Sequence, residues 1–231
     1  MLQKKEHIGS TFEVLGNLTH ALNHVAQVLR ERQVGHVAHY WRDEQLGVYN
    51  DSGELLGSVE RGAVRPLGIA TRAVHLVGRT PDGEMWVQQR SLTKANDPGL
   101  WDTLMGGMVP AHDSLQEALA RETREEAGLH LAQLAKLRHR GQVKVTRPTD
   151  DDVPVAPRLP SANPPKPAAG IGYMVEVIDW FDAEVPHGTV PENQDGEVAQ
   201  FALLAEDELV AKLQRNSFTL EASMILVAAL C

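Results

Sequence analysis

Residues 106–129 read GGMVPAHDSLQEALARETREEAGL, and this stretch decides the fold. Ser114 is followed three residues later by Glu117 and then by an apolar repeat, the pattern of a capping box at a helix N-terminus. The spacing predicts a helix from Ser114 to Ala127, with Gly128 as its left-handed stop. At about 100° per residue, Leu115, Ala118 and Leu119 form one stripe. Continued toward the C-terminus, that stripe passes through Glu122, Glu125 and Glu126. Solvated charges normally lie opposite an apolar stripe, not on it. Three carboxylates on a half-buried face repel one another, and burial raises their pKa values.

Two readings fit this spacing. In one, the second half of the helix emerges into water and Arg121 and Arg124 neutralise the acids. In the other, Glu122, Glu125 and Glu126 at i, i+3 and i+4 supply a hard-oxygen set for divalent cations, whose charge removes the repulsion. Spacing alone leaves both open.

Outward from this helix the chain alternates strand-like and helical patterns. Upstream, TRAVHLVGRT and EMWVQQRS are separated by Thr80-Pro81-Asp82-Gly83, a hairpin turn with Pro and Gly where a turn wants them. LWDTLMGGMV reads as a third extended piece. Nearer the N-terminus, Leu18, Leu22, Val25 and Leu29 recur at helical spacing behind Asn17 or Thr19 as a cap. Two short alternating runs follow, HVAHYW and QLGVYN, and the turn Asn50-Asp51-Ser52-Gly53 links the second to ELLGSVERG in a hairpin. Downstream, residues 148–167 hold seven of the thirteen prolines and the run Asp150-Asp151-Asp152, the composition of a mobile surface loop. GIGYMVEVIDWF and AQFALLA are strands, Glu206 to Arg215 a short helix, and Phe218 to Leu230 the last helix. These patterns divide the chain into a small α/β piece at 1–64 and an α+β domain at 65–231.

Composition bounds the partners. The 231 residues are 42% hydrophobic and 23% charged, an ordinary globular balance. A formal net charge of −9 disfavours nucleic acid and anionic membranes as partners. Cys231 is the one cysteine, so no intramolecular disulfide and no cysteine-based zinc site can form, which fits a reducing cytoplasm. No apolar run approaches the roughly 18–20 residues that span a bilayer, and the charged N-terminus lacks a signal-peptide core, so a soluble, unexported, cytoplasmic protein is expected.

The spacing of Gly107, Asp113, Arg121-Glu122-Thr123-Arg124-Glu125-Glu126 and Gly128 resembles the Nudix box, the loop–helix–loop motif of the Nudix hydrolases, over its full length. Asp113 stands where glutamate is usual and Thr123 where an aliphatic residue is usual. PLGIATRAVHLVG, QQRSLTKANDPGLWDTLMGGMV and DGEVAQFALL further resemble the branch with an N-terminal extension, found beside or fused to thiamine pyrophosphokinase-like sequences in plants and fungi. YWRDEQLGVYN and SVERGAVRPLGI are similar to the end of that extension. The piece before it is shorter than usual, and the Pro-rich 148–167 segment is unlike the family.

The resemblance implies an α+β Nudix fold, a mixed β-sheet sandwiched between α-helices, with the N-terminal α/β extension at 1–64 and the Nudix domain at 65–231. It implies a Mg2+-dependent hydrolase, Mn2+ substituting, that cleaves a phosphoanhydride of a small-molecule diphosphate. Thiamine diphosphate or its oxidised forms are the substrate suggested by the branch. A homodimer is compatible with it. By the same resemblance Glu122, Glu125 and Glu126 are metal ligands and the Gly106 carbonyl adds an oxygen. Arg121, at i, i+4 from Glu125, is expected to orient that carboxylate in catalysis, the alternative being an ordinary helix ion pair. Such ions draw charge from the phosphates and lower the pKa of a bound water.

Three residues outside the box join the candidates. Arg90 and Lys94 follow a strand and precede a Pro-Gly turn, so they can reach a cleft mouth and bind substrate phosphate, or serve surface solubility. Glu197, in the Asp195-Gly196 turn before a strand, can act as base or ligand, or be a solvated turn residue. Trp101 and His75 are read as packing residues. Three other readings bear on the same residues. An isopentenyl diphosphate isomerase-like enzyme would need an active-site cysteine that the terminal Cys231 does not supply. A ligand-binding sensor module commonly loses box glutamates, which are all present here. An ADP-ribose or nucleotide-sugar pyrophosphatase remains open.

Overall fold

The structure is a computed structural model that describes residues 2–7, 9–14, 16–34, 37–94, 96–149 and 172–231. The surface loop expected at 148–167 lies outside the described residues from 150 onward. The chain forms two compact units. One gathers Met1–Thr71, Pro110–His112 and Thr146–Glu176; the other gathers Arg72–Val109, Asp113–Val145 and Val177–Cys231.

The chain starts with β1 (Leu2–His7) and β2 (Gly9–Val14), an antiparallel pair that the sequence patterns do not announce. Helix α1 (Leu18–Glu31) is capped by Asn17, whose side chain accepts from the His20 N–H at 2.9 Å. Strands β3 (Gln45–Tyr49) and β4 (Leu55–Glu60) form the expected hairpin. The Asn50 side chain closes its turn by accepting from the Ser52 and Glu54 N–H groups. Asn23 of α1 donates to the Ser58 carbonyl and accepts from the Glu60 N–H, so one amide ties the helix to the hairpin. The described part of HVAHYW does not extend: residues 37–39 are turns and 40 is a bend, and the Val37 N–H bonds the Val34 carbonyl while its side chain is buried. That turn bond takes the donor a strand ladder would need.

The remaining elements are β5 (Ala70–Arg79), β6 (Met85–Arg90), β7 (Trp101–Asp102), β8 (Met105–Met108), α2 (Leu115–Ala127), β9 (Ala135–Thr149), β10 (Gly172–Glu184), β11 (Val198–Leu204), α3 (Glu206–Gln214) and α4 (Leu220–Leu230). Among the described residues they build a mixed seven-stranded sheet in the order β11-β6-β5-β10-β9, with β7 beside β6 and β8 beside β5. LWDTLMGGMV is therefore two short strands. The break falls where the Thr103 hydroxyl donates to the Met105 carbonyl and Leu104 turns fully into the core. The last helix starts at Leu220, not Phe218, because Thr219 caps it by accepting from the Ala222 N–H.

The core lies under α2. Ala118, Leu119 and Ala127 of the helix meet Val74 and Leu76 of β5 and Met105 of β8, all essentially inaccessible to solvent. Burying a leucine side chain contributes about 1.5–3 kcal/mol, so this stripe fixes α2 on the sheet. The same stripe fixes which way the glutamates at its far end must point. Among the described residues, no helix is long and apolar enough to cross a membrane.

Candidate active site

The capping box forms as its residues require: the Ser114 hydroxyl accepts from the Glu117 N–H at 3.2 Å, and the Glu117 carboxylate accepts from the Ser114 N–H at 2.8 Å. At the other end Gly128 adopts φ 66°, a left-handed conformation that glycine enters without penalty. Thr123, the unusual residue in the box, is fully buried, yet its hydroxyl donates to the Leu119 carbonyl at 2.6 Å and leaves no orphaned polar atom. Asp113, the other departure, accepts from Arg121 Nε at 3.2 Å.

Arg121 gathers three acids. Its Nη1 donates to Glu122 Oε1 at 2.9 Å and to Glu125 Oε2 at 3.1 Å, so the i, i+4 pair expected from the sequence is present, and Asp113 holds its other edge. Burial alone would lower the Arg121 guanidinium, but Glu122, together with Asp113 and Glu125, carries it well above its ordinary range. Glu122 lies against β8 so closely that a methyl on Gly107 would stand 2.1 Å from its carboxyl carbon. Any larger residue there would push the Glu122 carboxylate out of this position. Burial, and Glu126 beside it, push the Glu122 carboxyl up to about 7 despite Arg121.

Glu126 is the most enclosed of the three, 1% exposed. Its Oε2 accepts from the Gln88 side-chain amide at 2.8 Å and from the Gly106 N–H at 3.1 Å, while its Oε1 faces Lys94 Nζ at 3.3 Å. Lys94 also pairs with Glu197. The structure thus brings Gly106, Arg121, Glu122, Glu125, Glu126, Lys94 and Glu197 into one neighbourhood. Glu197 reaches it because its loop docks on the end of α2. The Glu192 and Gln194 N–H groups bond the Ala127 and Glu125 carbonyls, and the Ser91 N–H bonds the Glu197 carbonyl. A cleft of about 450 Å³ opens beside Glu125, lined by Arg124, Gly128, His130, Gln194 and Asp195. Burial raises the Asp195 carboxyl there, and Lys94 opposes the rise.

Arg90 is placed differently from the expected phosphate-facing side chain. Its Nε and Nη2 donate to the Asn96 carbonyl, and its Nη1 to Asp102 Oδ2 at 3.2 Å. It clamps the loop that presents Lys94. His75 is buried as a packing histidine, its Nδ1 3.0 Å from the Thr103 hydroxyl. Trp101 is partly buried under Lys212, whose Nζ lies 4.2 Å from the ring centre. Gln88 was missed in the sequence. The available signal was its place two residues before Arg90 on one strand face, which a lone glutamine does not make legible.

The donor set fits a hard divalent cation. It consists of carboxylate and amide oxygens, burial and the neighbouring Glu126 push the Glu122 carboxyl up to about 7, and Gln88 Oε1 is buried without a hydrogen-bond partner among the described residues. Glu122, Glu125, Glu126 and the Gly106 carbonyl could hold such an ion. Among the described residues no three His, Cys, Asp or Glu side chains converge closely enough to hold a metal ion as they stand, and the chain's own Arg121 and Lys94 engage these carboxylates.

The fold and box define one class, and the comparisons agree. Residues 70–223 match the NUDIX domain, two thirds of the chain, and the chain belongs to the Nudix family. Over 164 residues it is 31% identical to Nudix hydrolase 20, chloroplastic, of Arabidopsis thaliana, an alignment covering 70% of this chain and 38% of that protein. It is 26% identical over 195 residues to the uncharacterized protein YJR142W of Saccharomyces cerevisiae, covering 81% of this chain and 54% of that one. The chain therefore spans about half or less of these relatives' length. The crystal structure of DR0079 from Deinococcus radiodurans shares the fold at 20% identity, with a TM-score of 0.55 over 76% of this chain and 92% of that one.

Proposed function

We propose that the chain is a diphosphohydrolase dependent on Mg2+ or Mn2+ that cleaves a phosphoanhydride bond in an organic diphosphate. The observation that carries this reading is Glu126: a carboxylate 1% exposed, fixed at one oxygen by Gln88 and the Gly106 N–H, with the other oxygen turned to a cation. Burying such a charge is costly unless a cation and hydrogen bonds compensate it. Membership of the Nudix family supports the same reaction class.

Each side chain has a task in this reading. Glu122, Glu125, Glu126 and the Gly106 carbonyl hold the ions, which when bound neutralise the phosphates' own negative charge. Arg121 keeps Glu122 and Glu125 in place by its shared Nη1 contacts. Glu197, half exposed at the site's edge, takes the proton from the attacking water. Lys94 meets the substrate's phosphate oxygens, and Arg90 serves it indirectly by holding the 91–99 loop. The Gly128–Asp195 cleft beside Glu125 gives room for the group beyond the diphosphate.

Thiamine diphosphate or an oxidised form of it is the preferred substrate, on the resemblance of the QQRSLTKANDPGLWD and DGEV stretches to the thiamine-linked branch. Residence in the cytoplasm and association as a homodimer belong to this reading and rest on the sequence alone. The test is kcat/KM for thiamine diphosphate, an oxidised analogue, ADP-ribose and a nucleoside triphosphate with Mg2+. The thiamine compounds are expected to be preferred; a clear preference for ADP-ribose would remove the thiamine assignment and leave the reaction class standing.

A further inference from the structure

We infer that Lys94 is a resident counter-cation of the site: it occupies the one free oxygen of Glu126 until a divalent ion takes its place, and the displaced ammonium then serves the substrate phosphates. This rests on the reading of Glu126 as a metal ligand given above. Glu126 Oε2 is already used twice, by the Gln88 amide and the Gly106 N–H, so any cation approaching this carboxylate must come to Oε1. Lys94 Nζ stands there, 3.3 Å away, with its side chain 17% exposed. An ammonium and a divalent ion cannot share that oxygen in so enclosed a place, because like charges a few ångströms apart repel strongly where water is excluded.

Only the side chain has to move. The loop backbone is pinned by Arg90 on the Asn96 carbonyl, by the Lys94 N–H on the Ser91 carbonyl, and by the Ser91 N–H on the Glu197 carbonyl. Glu197, half exposed, pairs with the same ammonium and gives it a second station toward solvent as it leaves Glu126. Metal and diphosphate then bind in favour of one another, since the ion releases the cation that the phosphates need. Coupling of this kind is reciprocal. A lysine that only bound phosphate would leave the affinity for metal alone unchanged.

Free Mn2+ followed by electron paramagnetic resonance measures this without turnover. Lys94→Met is expected to bind Mn2+ about tenfold more tightly than the wild type when no substrate is present. It is also expected to lose the gain in methylenediphosphonate affinity that Mn2+ gives the wild type. Lys94→Gln keeps a donor for Glu126 without the charge, and gives the same result should the methionine variant fail to fold. Mn2+ affinity equal to or weaker than wild type in the folded variant would overturn the proposal. Glu126→Gln separates the two readings: loss of Mn2+ binding keeps Glu126 as ligand whatever Lys94 does, and retention removes the metal reading and the displacement together.

Discussion

Glu122 shows what single residues in this site cost and return. Burial first, and then Glu126, push its carboxyl in the folded protein up to about 7 from an ordinary 4.5. The folded state therefore holds this proton more tightly than the unfolded chain. The stability it contributes is full below about pH 4.5 and is lost as pH rises through 7. The loss is on the order of 3 kcal/mol. Denaturant unfolding in EDTA at pH 5 and pH 8 is expected to show it, and Glu122→Gln is expected to flatten the profile and stabilise the metal-free chain at pH 8. A Glu122→Gln profile as steep as the wild type would place the effect elsewhere. The conflict at Glu122 was legible in the sequence, because a helix stripe that starts with Leu115 and ends in glutamates cannot be satisfied by the chain's apolar core. Gln88 was not legible. Its meaning depends on β6 and α2 being neighbours, which no local pattern encodes.

At the scale of elements, α2 was readable from end to end, since the capping box, the stripe and Gly128 all act within a few residues of one another. The stretch at 100–109 was less so: β7 and β8 are separated by the turn of Leu104 into the core, a tertiary preference that overrides an extended-looking run. HVAHYW went the same way, its alternation overridden by a turn that buries Val37. The loop carrying Glu197 is the element that sequence and structure illuminate together. Asp195-Gly196 predicts a turn, and the bonds from Glu192 and Gln194 to the end of α2 bring it to the box. If Glu197 is the base, Glu197→Gln is expected to lower kcat with little change in KM and to remove the acidic limb of the pH profile, with Asp195→Asn milder. An unchanged kcat would return Glu197 to an ordinary turn residue paired with Lys94.

On the scale of the whole molecule, the sequence divides the chain once, at 64/65, whereas the compact units are assembled from separate stretches. Met1–Thr71 is grouped with Pro110–His112 and Thr146–Glu176. Leu46 pairs with Pro110, and the Ala111 N–H bonds the Gln45 carbonyl, within that unit. Such long-range pairings leave no compositional mark in the sequence. The function proposed for the molecule depends on the other unit, where box, Lys94 loop and Glu197 loop meet. Cleavage of a diphosphate panel by the full chain, followed chromatographically in Mg2+ and in EDTA for the wild type and Glu126→Gln, puts that dependence to the test. Turnover is expected in Mg2+, none in EDTA, and a loss of at least about 10²-fold in Glu126→Gln with the fold retained by circular dichroism. Full turnover by Glu126→Gln, or an equal rate in EDTA, would contradict the carboxylate-held metal on which the proposed reaction rests.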